Sequence, residues 1–311
     1  MDKSMMKMML NSSQVSHFTL AAYSDTGLFK HLIFLLILCL YVLIIVSNLL
    51  LIVVICMNRS LHEPTTALFP LLLIQVLTDV HTISTEFCFL QIYCIYTYAT
   101  IEFFCLAVMS YDRYLAICCP LQYNVHMTSK KVALLIALTW LIPLITVVVI
   151  VMLTVTLPLC GNVIYKVYCG NWAIAKLACV NTRVNNIFGL LYMFVSVVLP
   201  LILILFTYMR ILKICFSGCK QTRQKALSTC SPHLASLINF FFGCCFQIVQ
   251  SRFDMSSVPN IVNILLSLYF LTCQPLFTPV LYGLKMSKIF TIYLNPSEDF
   301  LMSLFFFTFH Q

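Results

Sequence analysis

Residues 109–123 read MSYDRYLAICCPLQY, and they hold the chain's most demanding side-chain chemistry. An apolar helix enters this stretch from its N-terminal side. Asp112 and Arg113 then stand together at the helix end, followed by Tyr114. A charged pair at a membrane helix terminus is costly unless hydrated or paired, so such a pair calls for a role. Glu102 lies eleven residues before Arg113, about three helical turns, and hence on a similar face. A carboxylate at that depth should face a bundle interior and find a partner there. The second reactive group is thiol: the chain has 16 cysteines. Most sit inside apolar runs, where a cysteine behaves as a small hydrophobe. Only those in polar segments are candidates for bonding. No CxxC pair with metal-ligand spacing appears, so no structural zinc or other metal is expected. Neither HExxH nor GxSxG occurs, and His81 and His233 are isolated, which speaks against a hydrolytic enzyme.

The elements that must position these groups follow from composition. The chain is 61% hydrophobic and 9% charged, against roughly 25% charged in soluble domains. It is therefore expected to be an integral, all-α membrane protein. The net charge of +8 does not point to nucleic acid, because the basic residues lie in short clusters between apolar runs, as topology signals do. No apolar core follows Lys3 and Lys7 directly, so no cleaved signal peptide is expected and the first span serves as anchor. Seven apolar segments can be counted: His31 to Cys56, a weak one from Thr66 to Thr82, Cys88 to Ile117, Val132 to Val155, Asn186 to Met209, Leu234 to Val249 and Val258 to Leu284. A span needs about 20 residues to cross about 30 Å of hydrocarbon, and backbone groups in lipid must be paired within the segment, so these are helices. The division expected is an outer N-terminus over 1–30, a seven-helix domain over 31–284 and an inner tail over 285–311.

Lys and Arg set the orientation. With the N-terminus outside, eleven basic residues fall inside, Arg59, Arg113, Lys130, Lys131 and Arg210 among them, against seven outside. Asn11-Ser12-Ser13 then fits a glycosylation acceptor on the outer side. Cys88 precedes Arg113 by 25 residues, roughly 37 Å of helix. Cys88 therefore sits at the outer rim, in an oxidising compartment. The long segment 156–185 adds Cys160, Cys169 and Cys179. Four cysteines allow three pairings, and spacing alone leaves them open.

Several strings resemble one family. The stretch around Asp112-Arg113-Tyr114, with Met109 before it and Ala116-Ile117-Cys118 and Pro120-Leu121-Gln122-Tyr123 after it, resembles the inner end of the third helix in odorant receptors. These are a branch of the rhodopsin-like G-protein-coupled receptors. Lys225 to Leu234, KALSTCSPHL, resembles the segment that opens their sixth helix, and Pro275 to Leu284, PLFTPVLYGL, the end of their seventh. Trp140, Pro200 and Tyr208 fall where the family pattern places them. Two departures stand out. Thr278 replaces the usual Asn before Pro279 and Tyr282, and a hydroxyl lacks the amide's two donors. The second helix is shortened to Thr65–Val76 and lacks the Asp expected to face Glu102. Glu102 is then either a protonated acid bonded to a neighbour or part of an ion site.

The resemblance implies a seven-transmembrane bundle in the plasma membrane, a small-molecule odorant as ligand, a heterotrimeric G protein as partner, contact with membrane lipid, and no cofactor. LPLC, VYCGN and LACVNT look like the family's three-cysteine outer loop, which implies Cys88–Cys169 and Cys160–Cys179 disulfides. The coupling switch would use Asp112, Arg113, Tyr114, Tyr208, Thr278, Pro279 and Tyr282. By position, the pocket would draw on Ile95, Tyr96, Ala99 and Thr100, on Tyr192, Met193 and Ser196, and on Phe241, Cys245 and Ile248. The rivals are a carrier, a membrane enzyme, and a non-signalling remnant crippled by its second helix. A carrier would show internal repeats and interrupted helices with midplane polar groups, and no repeat is visible.

Overall fold

The computed structural model describes residues 15–23, 29–55, 81–217, 220–253, 258–259, 261–272 and 276. Five of the seven expected spans fall among them nearly whole, and the seventh only in part, chiefly as Ile261–Thr272. Helix α1 covers Phe29–Ile55 and α2 covers Thr85–Cys118. Helix α3 covers Ser129–Val155. Helix α4, Arg183–Met193, runs through one π-helical turn, Phe194–Val198, into α5, Leu199–Ser217. Helix α6 covers Lys220–Arg252, and α7 covers Ile261–Thr272. The second span, Asn11, Thr278, Pro279, Tyr282 and the tail from 285 lie outside the described residues.

Helix α2, the third expected span, is the axis of the bundle. It packs against α3, α5 and α6. Half of its apolar stretch is buried, against 22% for α3 and 17% for α4 with α5. The difference explains the sequence. A helix enclosed by others can carry Gln91, Thr97, Thr100, Ser110 and Asp112 as buried polar groups. A helix facing lipid, such as α3, is apolar over most of its surface. Ser84 caps α2, its hydroxyl accepting from the Phe87 amide at 3.4 Å.

Local chemistry bends two helices. Pro200 has no amide proton to give the carbonyl four residues back, and the π-helical turn lies at that point. The turn carries Ser196, which is 2% exposed. On α6, Gly243 lets α7 approach: a Cβ there would come within 3.2 Å of the Phe270 ring and 3.5 Å of its Cα. Helix α6 also starts fourteen residues before the apolar run at Leu234. The added residues, KQTRQKALSTCSPH, are mostly helix formers suited to water, and hydropathy sees only the part in lipid.

At the end of the bundle that holds Cys88, three short strands form a sheet in the order β2-β1-β3. Strand β1 is His17–Leu20, β2 is Thr82–Ser84 and β3 is Val163–Ile164. Strand β1 pairs antiparallel with β2, Phe18 facing Ile83, and parallel with β3, Thr19 facing Val163. Phe18 and Leu20 are fully buried and His17 is exposed, the alternation of a half-buried strand. These strands add to an architecture that is otherwise helical.

Candidate functional site

Two disulfides shape that end of the bundle. Cys88 on α2 is bonded to Cys169, with Cα atoms 5.5 Å apart, and Cys160 to Cys179, with Cα atoms 5.2 Å apart. Of the three pairings open to the sequence, this is the one the family resemblance implied. A second tie holds the loop to α2: the Cys169 amide donates to Gln91 Oε1 at 2.9 Å. The residues beside Cys169 are thereby drawn over the mouth of the bundle, and Asn171–Ala175 forms a short helical turn there. Cys169→Ser is expected to lower surface receptor several-fold, since losing a native disulfide typically costs about 2–5 kcal/mol. Flow cytometry of an N-terminal epitope, with non-reducing peptide mapping to find Cys88, checks this.

Beneath the loop lies a cavity of about 150 Å³. Helix α2 contributes Ile95, Tyr96, Ala99, Thr100 and Phe103. Tyr192, Met193, Ser196 and Val197 come from α4 and the π-helical turn, and Cys244, Gln247 and Ile248 from α6. Eight of the ten pocket residues expected from the sequence are thus brought together. Phe241 and Cys245 are not in the lining. The reason is helical phase: Cys244, Gln247, Ile248 and Ser251 form one stripe at i, i+3, i+4 and i+7. Cys245 is turned about 100° away from that stripe, and Phe241 lies one turn further in.

The floor is aromatic. Phe103 packs on Phe240 with ring centroids 4.8 Å apart, and Phe240 lies 6.2 Å from Phe270. One wall is a small polar network. The Thr100 and Tyr192 hydroxyls lie 2.6 Å apart, and the Tyr192 hydroxyl also donates to the Tyr96 carbonyl at 3.2 Å. The Thr100 hydroxyl lies 2.9 Å from that carbonyl as well. An apolar enclosure with a few placed hydroxyls and amides is built to bind a small organic molecule.

The mouth holds residues that sequence reasoning did not single out: Lys166, Tyr168, Asn171 and Trp172 of the loop, with Ser251 and Arg252 of α6. Arg252 donates to Asn186 Oδ1 at 2.6 Å and lies over the Trp172 ring, 4.3 Å from its centroid. Lys166 is 9% exposed. Burial, with the Lys176 charge behind it, lowers its pKa to about 8. The buried ammonium therefore costs stability below about pH 8, and the cost fades as pH rises further. Burial holds the Tyr168 phenol well above its ordinary range.

At the other end of α2, Asp112 and Arg113 are 2% and 8% exposed. The Tyr123 hydroxyl donates to Asp112 Oδ1 at 2.8 Å. Tyr123 opens a single helical turn, Tyr123–His126, beyond the end of α2, so the PLQY string folds back on the aspartate. Lys131 donates to the Tyr111 hydroxyl at 2.9 Å. Tyr208 of α5 is buried in the same apolar cluster as Met109, with Tyr114 packed against it. Thr278, Pro279 and Tyr282 cannot be placed against this group, being outside the described residues.

A helical membrane bundle with a small-molecule cavity at one end and a buried charged pair at the other defines a receptor class. The sequence model of the olfactory receptor family matches residues 37–295. Olfactory receptor 6E1 of Mus musculus is 31% identical over 298 residues, covering 90% of this chain and 95% of that protein. The human olfactory receptors 10J4 and 2G6 are 32% and 33% identical over 300 and 295 residues, covering 90% and 88% of this chain and 94% and 92% of their own. The chain belongs to the olfactory receptor family. It is an odorant-sensing, seven-helix receptor of the plasma membrane, not an enzyme, and the carrier and remnant readings are not favoured. The match with the mouse receptor has a further content. Its 298 positions draw on 90% of 311 residues, about 280, so on the order of eighteen positions have no counterpart in this chain.

Proposed function

We propose that odorants bind in the cavity beneath the Cys169 loop, and that the opposite end of α2, around Asp112, Arg113 and Tyr114, engages a heterotrimeric G protein. The observation that carries this reading is convergence: eight residues named from sequence position line one cavity, with an aromatic floor and a hydroxyl wall. The ligand shifts a population between inactive and active bundles, and does so only by binding the active form more tightly. Helix α2 touches both ends, so a change at Tyr96 or Thr100 is carried along one packed element toward Arg113.

The N-terminus faces outward in this reading. Strand β1 shares a sheet with β3 of the disulfide-bearing loop, and disulfides belong to the oxidising side. The excess of Lys and Arg on the opposite loops agrees.

The test is a cell-based cAMP assay against an odorant panel, with Ala99→Phe as the control that fills the cavity. The parent is expected to give a saturable response. The variant is expected to lose about tenfold or more in potency at matched surface level, a loss of about 1.4 kcal/mol of binding or more. An unchanged dose-response curve in Ala99→Phe overturns the assignment of the cavity.

A further inference from the structure

We propose that the receptor is tuned to small odorants bearing a carboxylate, and that Lys166 is the group that receives it. This deepens, and rests on, the reading of the cavity as the odorant site.

Three observations carry it. Lys166 lines the cavity and is 9% exposed, and the charge that acts on it among the described residues is another cation, Lys176. A largely buried charge is expensive unless paired, and an anionic ligand would pair this one. Second, no Asp or Glu among the described residues lines the cavity, and Arg252 adds another cation to its mouth. Among the described residues Arg252 is engaged by neutral groups, the Asn186 amide and the Trp172 ring. Third, Gln247 Nε2 is buried in the lining without a partner. It is a donor, as an acceptor-only carboxylate requires.

The loop holds Lys166 in place. Its Cδ and Nζ pass 3.8 Å from where a Cβ on Gly170 would sit, next to the Cys88–Cys169 bond. Burial, then the Lys176 charge, lowers the pKa of Lys166 to about 8, and the attraction of a bound carboxylate would oppose that shift. The rest of the cavity is made for an apolar tail over Phe103 and Phe270. Its size limits that tail, because an apolar cavity of about 150 Å³ admits a molecule the size of benzene. Short acids such as pentanoic acid fit this description.

The experiment uses the full chain in cells, with a cAMP reporter and a surface epitope read in parallel. The probes are pentanoic acid, its methyl ester and 1-pentanol. The acid is expected to be the most potent of the three on the parent. Lys166→Met keeps the buried stem but removes the charge, so its surface level should equal or exceed the parent's. Its potency for the acid should fall about tenfold or more, as for loss of a charge-assisted hydrogen bond, with the ester unchanged. Lys166→Arg should retain the acid response, and Lys166→Gln serves if the Met variant fails to fold. An acid no more potent than its ester, or unchanged acid potency in Lys166→Met, overturns the inference while leaving the odorant site standing. If no odorant of any class activates a parent that is at the surface, the site reading fails instead. Thermal unfolding of the purified chain then decides the inference: stabilisation by pentanoate that is absent in Lys166→Met supports it, and equal shifts in both proteins overturn it.

Discussion

Arg113→Ala is expected to abolish G-protein activation while leaving membrane insertion intact. Arg113 and Asp112 are both buried at the end of α2, and buried charges at a membrane helix end are retained only where they have work to do. Asp112 is held by the Tyr123 hydroxyl at 2.8 Å. Arg113 presents a planar fork of donors that no other side chain reproduces, so Arg113→Lys should restore only part of the response. Insertion should survive because, in the proposed orientation, only one of eleven inner basic residues is lost, and Lys130 and Lys131 remain close by. The measurement is odorant-stimulated cAMP at matched surface level. Equal responses from variant and parent would remove Arg113 from the coupling machinery. Tyr123→Phe is the informative companion. It deletes the bond that steadies Asp112 without touching the charge, and basal signalling should rise.

The spans were legible because lipid enforces composition: four of the described helices are long and apolar enough to cross a membrane, and a backbone in hydrocarbon has no choice but helix. The cysteine pairing was legible only through resemblance, since Cys88, Cys160, Cys169 and Cys179 satisfy three pairings by spacing. The pocket was legible along α2 and α4, where Ile95, Tyr96, Ala99, Tyr192 and Met193 keep helical register. Phe241 and Cys245 lie outside the cavity lining, since one position of helical phase moves a side chain by about 100°, and α6 packs closely on Phe270 at Gly243. Lys166, Asn171 and Trp172 were not legible as pocket residues. They lie in a loop with no periodicity, and long-range ties, the bond at Cys169 and the Gln91 contact among them, bring them over the cavity. Arg252 did leave a signal, a cation at the C-terminal end of the sixth apolar run. The strands left almost none, because Thr82–Ser84 and Val163–Ile164 are too short for a period of two to register.

The region between Leu61 and Ser84 carries the other large expectation: inserting a complete second span should raise surface receptor and odorant response together. Leu61-His62-Glu63-Pro64 resembles the family's first inner loop, and Leu77 to Ser84 its first outer loop. Between them the clearly apolar run, Ala67 to Leu77, would cover roughly 16 Å as a helix, about half the hydrocarbon thickness. Pro70 sits inside it and cannot donate a backbone hydrogen bond. The outer end has no slack, because the His81 carbonyl accepts from the Leu20 amide at 2.8 Å and Thr82–Ser84 pairs with β1. A helix ending at Val80 reaches roughly 30 Å only by starting at Leu61, which draws Glu63 and Asp79 toward the hydrocarbon at either end. The surplus of on the order of eighteen positions in the mouse relative agrees with a missing piece of this length. An insertion of about fifteen mainly apolar residues, about four helical turns, should therefore relieve the mismatch. If it includes an Asp facing Glu102, it also supplies the acidic partner that the resemblance places there. Surface epitope per cell is expected to rise several-fold over the unmodified chain, and the maximal cAMP response with it. Equal surface levels from the two chains, with comparable saturable responses, would show that Leu61–Val80 crosses the membrane adequately as it stands.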